Sequence, residues 1–467
     1  MNIKKLLPGV AITAALSCFS AHAADYRWNG SSSSFTIPGN WQVFDGENWI
    51  LATSAPGASD RIVTPNNFGI LNIDTFATVA EFNVDMDTGW VIRNQVTDSL
   101  RSLTVSGDFT KAGSAALQVR DSNGPLNLSI GGALNANEGS TIFGIQSTGL
   151  NSLSVTGTTT VASGATLRIN AVTSTLGAVQ MNGGILGVFD SGSADASGGT
   201  TVSSLSGSGS VAARVTASTV AITGTLAING SSGSTTFSGL IADSTLGSNA
   251  VLNVTKAGNS TQVFSGANTY TGGTQVNGGT LLIANTTGSG TGTGAITVAS
   301  GARFGGTGIA TGAVTVSSFD SVIIAGGENA IGTLTLNGGL TANSGVTFAF
   351  DINGAQIDSI DFGTASLNLG GTVTVDFTSL GSVETGVAYS LFAGTGAWDS
   401  VSASFVINGP SGYELDTSYG GGNGYIFDDA TNSFTVQFAA IPEPSTYAAL
   451  FGGLTLAGAA LTRRRRA

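Results

Sequence analysis

Apolar and hydroxyl-bearing residues alternate in short runs along most of the chain. Ser102-Leu103-Thr104-Val105-Ser106-Gly107 is echoed by Ser152-Leu153-Ser154-Val155-Thr156-Gly157. Such alternation puts one side of each strand in a core and the other in water. A tighter repetition runs from Thr261 to Leu340, where Gly294-Ala295-Ile296-Thr297-Val298, Gly312-Ala313-Val314-Thr315-Val316 and Gly332-Thr333-Leu334-Thr335-Leu336 follow one another at spacings of 18 and then 20 residues. A unit that short cannot bury its own apolar face, so the three phrases are expected to stack as coils of a solenoid.

A further echo, Val161-Ala162-Ser163-Gly164-Ala165 and Val298-Ala299-Ser300-Gly301-Ala302, links the two halves of the body. Turns are expected at Asn182-Gly183-Gly184, Asn277-Gly278-Gly279 and Asn337-Gly338-Gly339, where Asn and Gly accept positive φ at little cost. These could serve as hairpins of an antiparallel sheet. The similar spacing of the phrases argues instead for a parallel β-helix, in which each coil returns the chain one strand further along; roughly 15 coils at about 4.8 Å give a rod of about 70 Å.

Three stretches of body follow. Residues 24–100 hold four of the five tryptophans, three of them beside Asn: Trp28-Asn29, Asn40-Trp41 and Asn48-Trp49. They read as a β cap over the first open coil. A sugar-stacking platform of Trp28, Trp41 and Trp49 is the alternative. Residues 101–340 form the solenoid proper, and residues 341–440 a final β region that either continues the stack or closes it.

Composition narrows the function. With 41% hydrophobic and only 9% charged residues, the chain can build a large core under a neutral polar surface, and 69 glycines favour turns over helices. The class is all-β. Removing Lys4, Lys5 and Arg463 to Arg466 from the 16 basic residues, and Glu443 from the 28 acidic ones, leaves 10 against 27 over residues 24–441. A body with a net charge of −17 repels nucleic acid. Cys18 and His22 are the only cysteine and histidine, and both lie in the leader. The body therefore has no Ser-His-Asp triad, no Cys-His nucleophile and no zinc site built on His or Cys. The densest acidic group is Asp351, Asn353, Asp358 and Asp361. Asp351-x-Asn353-Gly354 matches the opening of a calcium loop, but no Glu stands at the twelfth position, so the EF-hand pattern fails. No cofactor is expected, Ca2+ being the one ion such carboxylates would attract.

The two ends carry export signals. Residues 1–23 combine Lys4-Lys5, an apolar run from Leu6 to Phe19 and the small-x-small site Ala21-His22-Ala23, the pattern of a signal peptide handled by the Sec machinery, with Ala24 as the first mature residue. At the other end stand Pro442-Glu443-Pro444, an apolar span over residues 447–462, and Arg463-Arg464-Arg465-Arg466. As a helix the span measures about 24 Å, adequate for a single crossing of a thin inner membrane, with the arginines as a cytoplasmic stop.

Residues 442–466 resemble the PEP-CTERM sorting signal in the order and spacing of motif, span and arginine cluster. The resemblance implies that Pro442, Glu443 and Pro444 are recognised by exosortase, a membrane cysteine protease, and that the bearer is exported by a Gram-negative bacterium that also makes exopolysaccharide. Two prolines also hold the segment extended outside the bilayer, where a protease can bind its backbone. Within the body, Val263-Phe264-Ser265-Gly266-Ala267-Asn268-Thr269-Tyr270-Thr271-Gly272-Gly273-Thr274 and Val276-Asn277-Gly278-Gly279-Thr280-Leu281 resemble the autotransporter-associated β-strand repeat, also called the passenger-associated transport repeat, with one clear copy over residues 262–293. That family forms right-handed β-helices in exported passengers. The chain lacks a terminal run of alternating strands long enough for an outer-membrane barrel, so the repeat is expected to act as a structural unit.

The expected function is that of a non-enzymatic surface or matrix protein, anchored transiently in the inner membrane and then released, with exosortase and exopolysaccharide as partners. A carbohydrate-binding adhesin is the alternative. A polysaccharide lyase or hydrolase would need clustered carboxylates with a basic partner, or two facing carboxylates.

Overall fold

The alternation seen in the sequence becomes a ladder of parallel strands. The computed structural model describes residues 24–441, apart from 30–33, 65–68, 86, 145–149, 192–195, 217, 248, 317–319 and 343–344. The leader 1–23 with Ala21 and Ala23 lies outside the described residues. So does the tail 442–466, with Pro442, Glu443, Pro444, the span 447–462 and the four arginines.

The described residues form β-strands and two short 3-10 turns, with no α-helix. Each coil visits three faces in turn. In one coil Arg101–Val105 lies on the first face, Phe109–Ala112 on the second and Leu117–Asp121 on the third; the next coil supplies Leu126–Ile130, Leu134–Ala136 and Ser140–Phe143 directly above them. The two echoed phrases stand two coils apart, with Asn127-Leu128-Ser129-Ile130 between them: Leu103 pairs with Leu128 and Leu128 with Leu153, while Val105, Ile130 and Val155 align in the same way.

On the first face the register holds from Phe76–Val79 to Asn368, with a shift only after Asn368 on the last rung. One outward column runs Thr78, Thr104, Ser129, Ser154, Thr175, Thr201, Ala227 and Thr255. It continues through Gln275, Thr297, Thr315, Thr341, Asn368 and Asp399. At about 4.8 Å per rung, these 14 rungs span about 60 Å. The inward neighbours Leu103, Leu128, Leu226, Val254, Ile296, Val314, Leu340 and Leu367 are all buried in the single hydrophobic core.

Two boundaries differ from expectation. The parallel ladder already includes Arg61–Val63 and Glu81–Asp85, so pairing does not change character at residue 100. Past residue 340 the stack continues through Leu367–Val383 and Trp398–Asn408 before the chain turns antiparallel. Ser433–Ala440 then pairs antiparallel with Ala388–Ala393, Tyr413–Leu415 and Tyr425–Asp428. There Phe405 packs against Phe427 and Phe434 at centroid distances of 5.0 and 5.2 Å, closing the last coil. Both alternatives for the final region therefore hold, one after the other.

The third phrase of the tight repeat is a correction. Ile296–Val298 and Val314–Val316 stack as expected, but the next rung of that ladder is Leu340–Ala342. Thr333–Leu336 lies on the third face, between Ile309–Ala310 and Ser359–Asp361. The segment between Ala325 and Thr333 lengthens this coil and moves the phrase one face back.

The Asn-Gly-Gly segments are not hairpins. Asn182-Gly183-Gly184 lies within the long strand Ala171–Gly187, and Gly279 and Gly339 take positive φ where the chain passes between strands of different faces. A second use of glycine was hidden in the phrases themselves. Gly272, Gly294 and Gly312 stand above one another at one corner, where a Cβ on Gly294 would enter the carbonyl oxygen of Gly272 and one on Gly312 that of Gly294. Backbone approaches backbone too closely there for any side chain. Gly294→Ala is expected to destabilise the fold by about 1–3 kcal/mol, the range of an overpacked core. Gly39→Ala, where a Cβ meets nothing within 4 Å, should be near neutral. Denaturant midpoints of the two variants check this.

Candidate functional site

The polar residues most able to do chemistry mostly point inward. Lys111 and Lys256 are fully buried in Lys-Ala-Gly corners of identical construction. Lys111 Nζ donates to the carbonyls of Ala112, Gly113 and Glu138 at 2.6, 2.6 and 3.3 Å. Lys256 Nζ donates to those of Ala257, Gly258 and Gly278 at 2.7, 3.3 and 3.2 Å. In each case an Asn of the next coil, Asn137 or Asn277, donates its backbone N–H to the lysine carbonyl at 2.8 Å. Burial lowers both ammonium groups, that of Lys256 to about 8. Three carbonyl acceptors replace the lost water, and both lysines act as struts between coils.

The segment resembling the transport repeat is used in the same way. Asn268, buried, accepts the Ile241 N–H of the coil below at 2.8 Å and donates to the Gly290 carbonyl of the coil above at 2.6 Å. Tyr270 is fully buried, its hydroxyl 2.7 Å from Thr274 Oγ1, and burial raises its pKa well above the ordinary phenol value.

The tryptophans close the first coil. Trp28 and Trp41 are 5% and 0% exposed and meet edge to face at 5.0 Å. Trp90 and Phe35 pack against them, and Trp41 Nε1 donates to the Phe35 carbonyl at 2.9 Å. Strands Trp41–Phe44 and Trp49–Leu51 extend the first rung antiparallel. The proposed sugar platform of Trp28, Trp41 and Trp49 is therefore corrected: two ring faces are sealed in the core, and Trp49 carries the Arg27 guanidinium 4.6 Å above its ring.

One cleft gathers charge at the surface. It holds about 260 Å³ and is lined by Arg303, Glu328, Asn329, Asp351, Asp358 and Thr378, among others. It opens beside the second face, where Arg303 pairs with Val322 and Val322 with Thr347 on successive coils. Asp358 is 1% exposed and accepts the Gly332 and Asp351 backbone N–H groups at 2.8 and 2.7 Å. Gly326, at φ +68°, passes against this carboxylate where a Cβ would collide with it. Burial raises Asp358 to about 7, against the opposing pull of those two N–H groups. Asp351 is also raised by burial, while hydrogen bonds from Asn329 and Ala330 lower it and Glu328 raises it.

Of the four residues singled out by density in the sequence, the cleft brings together Asp351 and Asp358 only. Asp361 caps its own turn through Gly363 N–H at 2.8 Å, and Asn353 lies in the antiparallel pair with Gln356. Arg303 and Glu328 escaped sequence reasoning because they arrive from coils below; the register of the ladder was the signal that could have found them. Among the described residues no group of three or more His, Cys, Asp or Glu side chains is placed to hold a metal ion. Asp358 turns both oxygens to backbone donors, so the cleft offers Asp351, Glu328 and Arg303 to a ligand.

Comparison with known families places a Passenger-associated-transport-repeat over residues 254–283. The match starts 8 residues before, and ends 10 residues before, the copy expected at 262–293, and it takes in Lys256 of the first-face strand Ala250–Ala257. It marks a repeat of passenger-type secreted or surface proteins of Gram-negative bacteria. No curated protein matches the chain.

Asp358 and Asp121, the latter raised to about 6 chiefly by burial, hold protons in the folded state that the unfolded chain releases near pH 4. Their stabilisation is complete below about pH 4 and is lost as the pH rises through 6 and then 7. The melting temperature should therefore fall between pH 4 and 7.5. Asp358→Asn should flatten the upper part of that fall, at the cost of one backbone hydrogen bond. Parallel thermal scans of both proteins at each pH check this.

Proposed function

We propose that the chain is an exported, non-enzymatic structural protein of the bacterial surface or extracellular matrix, a right-handed β-solenoid that leaves through its signal peptide. Its tail anchors it transiently in the inner membrane, and an exosortase-type protease processes it at Pro442-Glu443-Pro444. The observation that carries this reading is the inward use of its polar side chains: Lys111, Lys256 and Asn268 hold coil to coil. Right-handed winding is the sense favoured by parallel crossovers. The outward column of Thr, Ser and Asn gives the rod a neutral hydroxyl-rich face suited to a hydrated exopolysaccharide matrix.

The passenger-type repeat supports export. Among the described residues no helix is long and apolar enough to cross a membrane; the apolar run of residues 447–462 in the sequence is what supports reading the tail as an anchor. A second reading, carbohydrate binding, draws on the cleft at Arg303, Glu328 and Asp351, where a cation and carboxylates line one groove.

Processing is testable in the producing cell. Intact-mass analysis of the released protein should show a chain that starts at Ala24 and lacks Arg463 to Arg466. Glu443→Ala should leave the precursor, tail included, in the membrane fraction. A released wild-type chain that still ends in the four arginines would overturn the sorting assignment.

A further inference from the structure

The described residues hold two ion pairs, Arg61 with Asp25 at 2.6 Å and Arg168 with Asp190 at 2.9 Å. The third face carries three cations outside them: Arg93, Arg120 and, further along the stack, the fully buried Arg214, which donates to the Ser191 carbonyl at 2.6 Å. Arg93 and Arg120 occupy the same register position on adjacent coils, directly opposite each other, with Asn72 one coil further along the column. Both are half-buried. Arg93 Nε donates to Asn72 Oδ1 at 3.1 Å, and Asn72 Nδ2 in turn donates to Gln95 Oε1 at 2.9 Å. Arg120 Nε is buried with no hydrogen-bond partner.

Burial, and then the charge of Arg120, hold the Arg93 guanidinium below its ordinary value, with no carboxylate acting in the other direction. Asp121, the next residue along, has its carboxyl engaged by the Leu126 N–H at 2.6 Å. Two like charges one strand spacing apart repel, and on an open face such long side chains would splay into water. Acidic residues outnumber basic ones in the body by 27 to 10, yet among the described residues neither of these two guanidinium groups has a carboxylate within ion-pair distance.

We propose that Arg93 and Arg120 form an oxyanion-binding site on the third face, taking one sulfate, phosphate or sugar carboxylate between their two guanidinium groups. A guanidinium presents a planar fork of donors that matches such groups bidentately. A shared anion between the outer N–H groups removes the repulsion. Asn72 and Gln95 act behind the arginines, fixing the angle of Arg93.

Isothermal titration of the full chain tests this with three probes at matched ionic strength: sodium sulfate, tri-galacturonate, and neutral maltotriose as the control. Sulfate or tri-galacturonate should bind one to one, maltotriose should not, and Arg120→Gln should weaken the binding at least tenfold. Tighter binding of tri-galacturonate than of sulfate assigns the anion to an acidic sugar; equal or weaker binding assigns it to a free ion. Without ligand, Arg120→Gln should withstand urea at least as well as the unchanged protein, because a like-charge contact is gone; a purely structural arginine would show a loss. Arg93→Gln gives the same reading if the first variant does not fold. No binding of either anion, or equal binding by unchanged and substituted chains, would overturn the proposal.

Discussion

Everything in this molecule answers to one constraint: each coil must lie on the last with its backbone in hydrogen-bond contact along three faces. Parallel ladders satisfy every interior N–H and C=O only if the register never slips. On the first face it does not slip over 14 rungs, although the coils between them vary in length. Length differences are absorbed at the corners and in loops such as the one over Asp351. The alternation of mostly Leu, Val and Ile inside with mostly Thr and Ser outside follows from this, since a one-residue slip would turn the apolar column outward; Ser174, Thr200 and Thr274 are the buried polar exceptions on this face.

The corners set the second requirement. Carbonyls converge where the chain changes face, and the protein meets them in two ways. At Gly272, Gly294 and Gly312 it removes the side chain altogether so that backbone can touch backbone. At Lys111 and Lys256 it supplies a buried ammonium with three acceptors. Burial desolvates both lysines and lowers the pKa of both ammonium groups. Three carbonyl acceptors for each ammonium make that desolvation tolerable, and truncating either lysine would leave converging carbonyls unpaired. The two open ends are handled with aromatic rings: Trp28, Trp41 and Trp90 at the start, Phe405, Phe427 and Phe434 at the finish.

Much of the solenoid was legible because period-two alternation and short echoes report directly on a ladder. Leu103 and Leu153 could be placed on one column from their phrases alone. What was not legible depended on register across coils. Thr333–Leu336 resembles its predecessors but sits on another face, since local similarity says nothing about an intervening loop. Arg303 meets Asp351, and Arg93 meets Arg120, only because particular coil lengths bring them level. The tryptophans were readable as a cap or as a platform; their burial settled what spacing beside Asn could not.

Distances between spin labels on the outward column test the central claim most directly. Thr104 paired in turn with Thr201, Thr297 and Thr341 lies four, eight and ten rungs away. The ladder predicts separations near 19, 38 and 48 Å, growing by about 4.8 Å for each rung whatever the number of intervening residues. Separations that fail to follow rung number, or broad distributions without a resolved centre, would contradict a single continuous parallel stack.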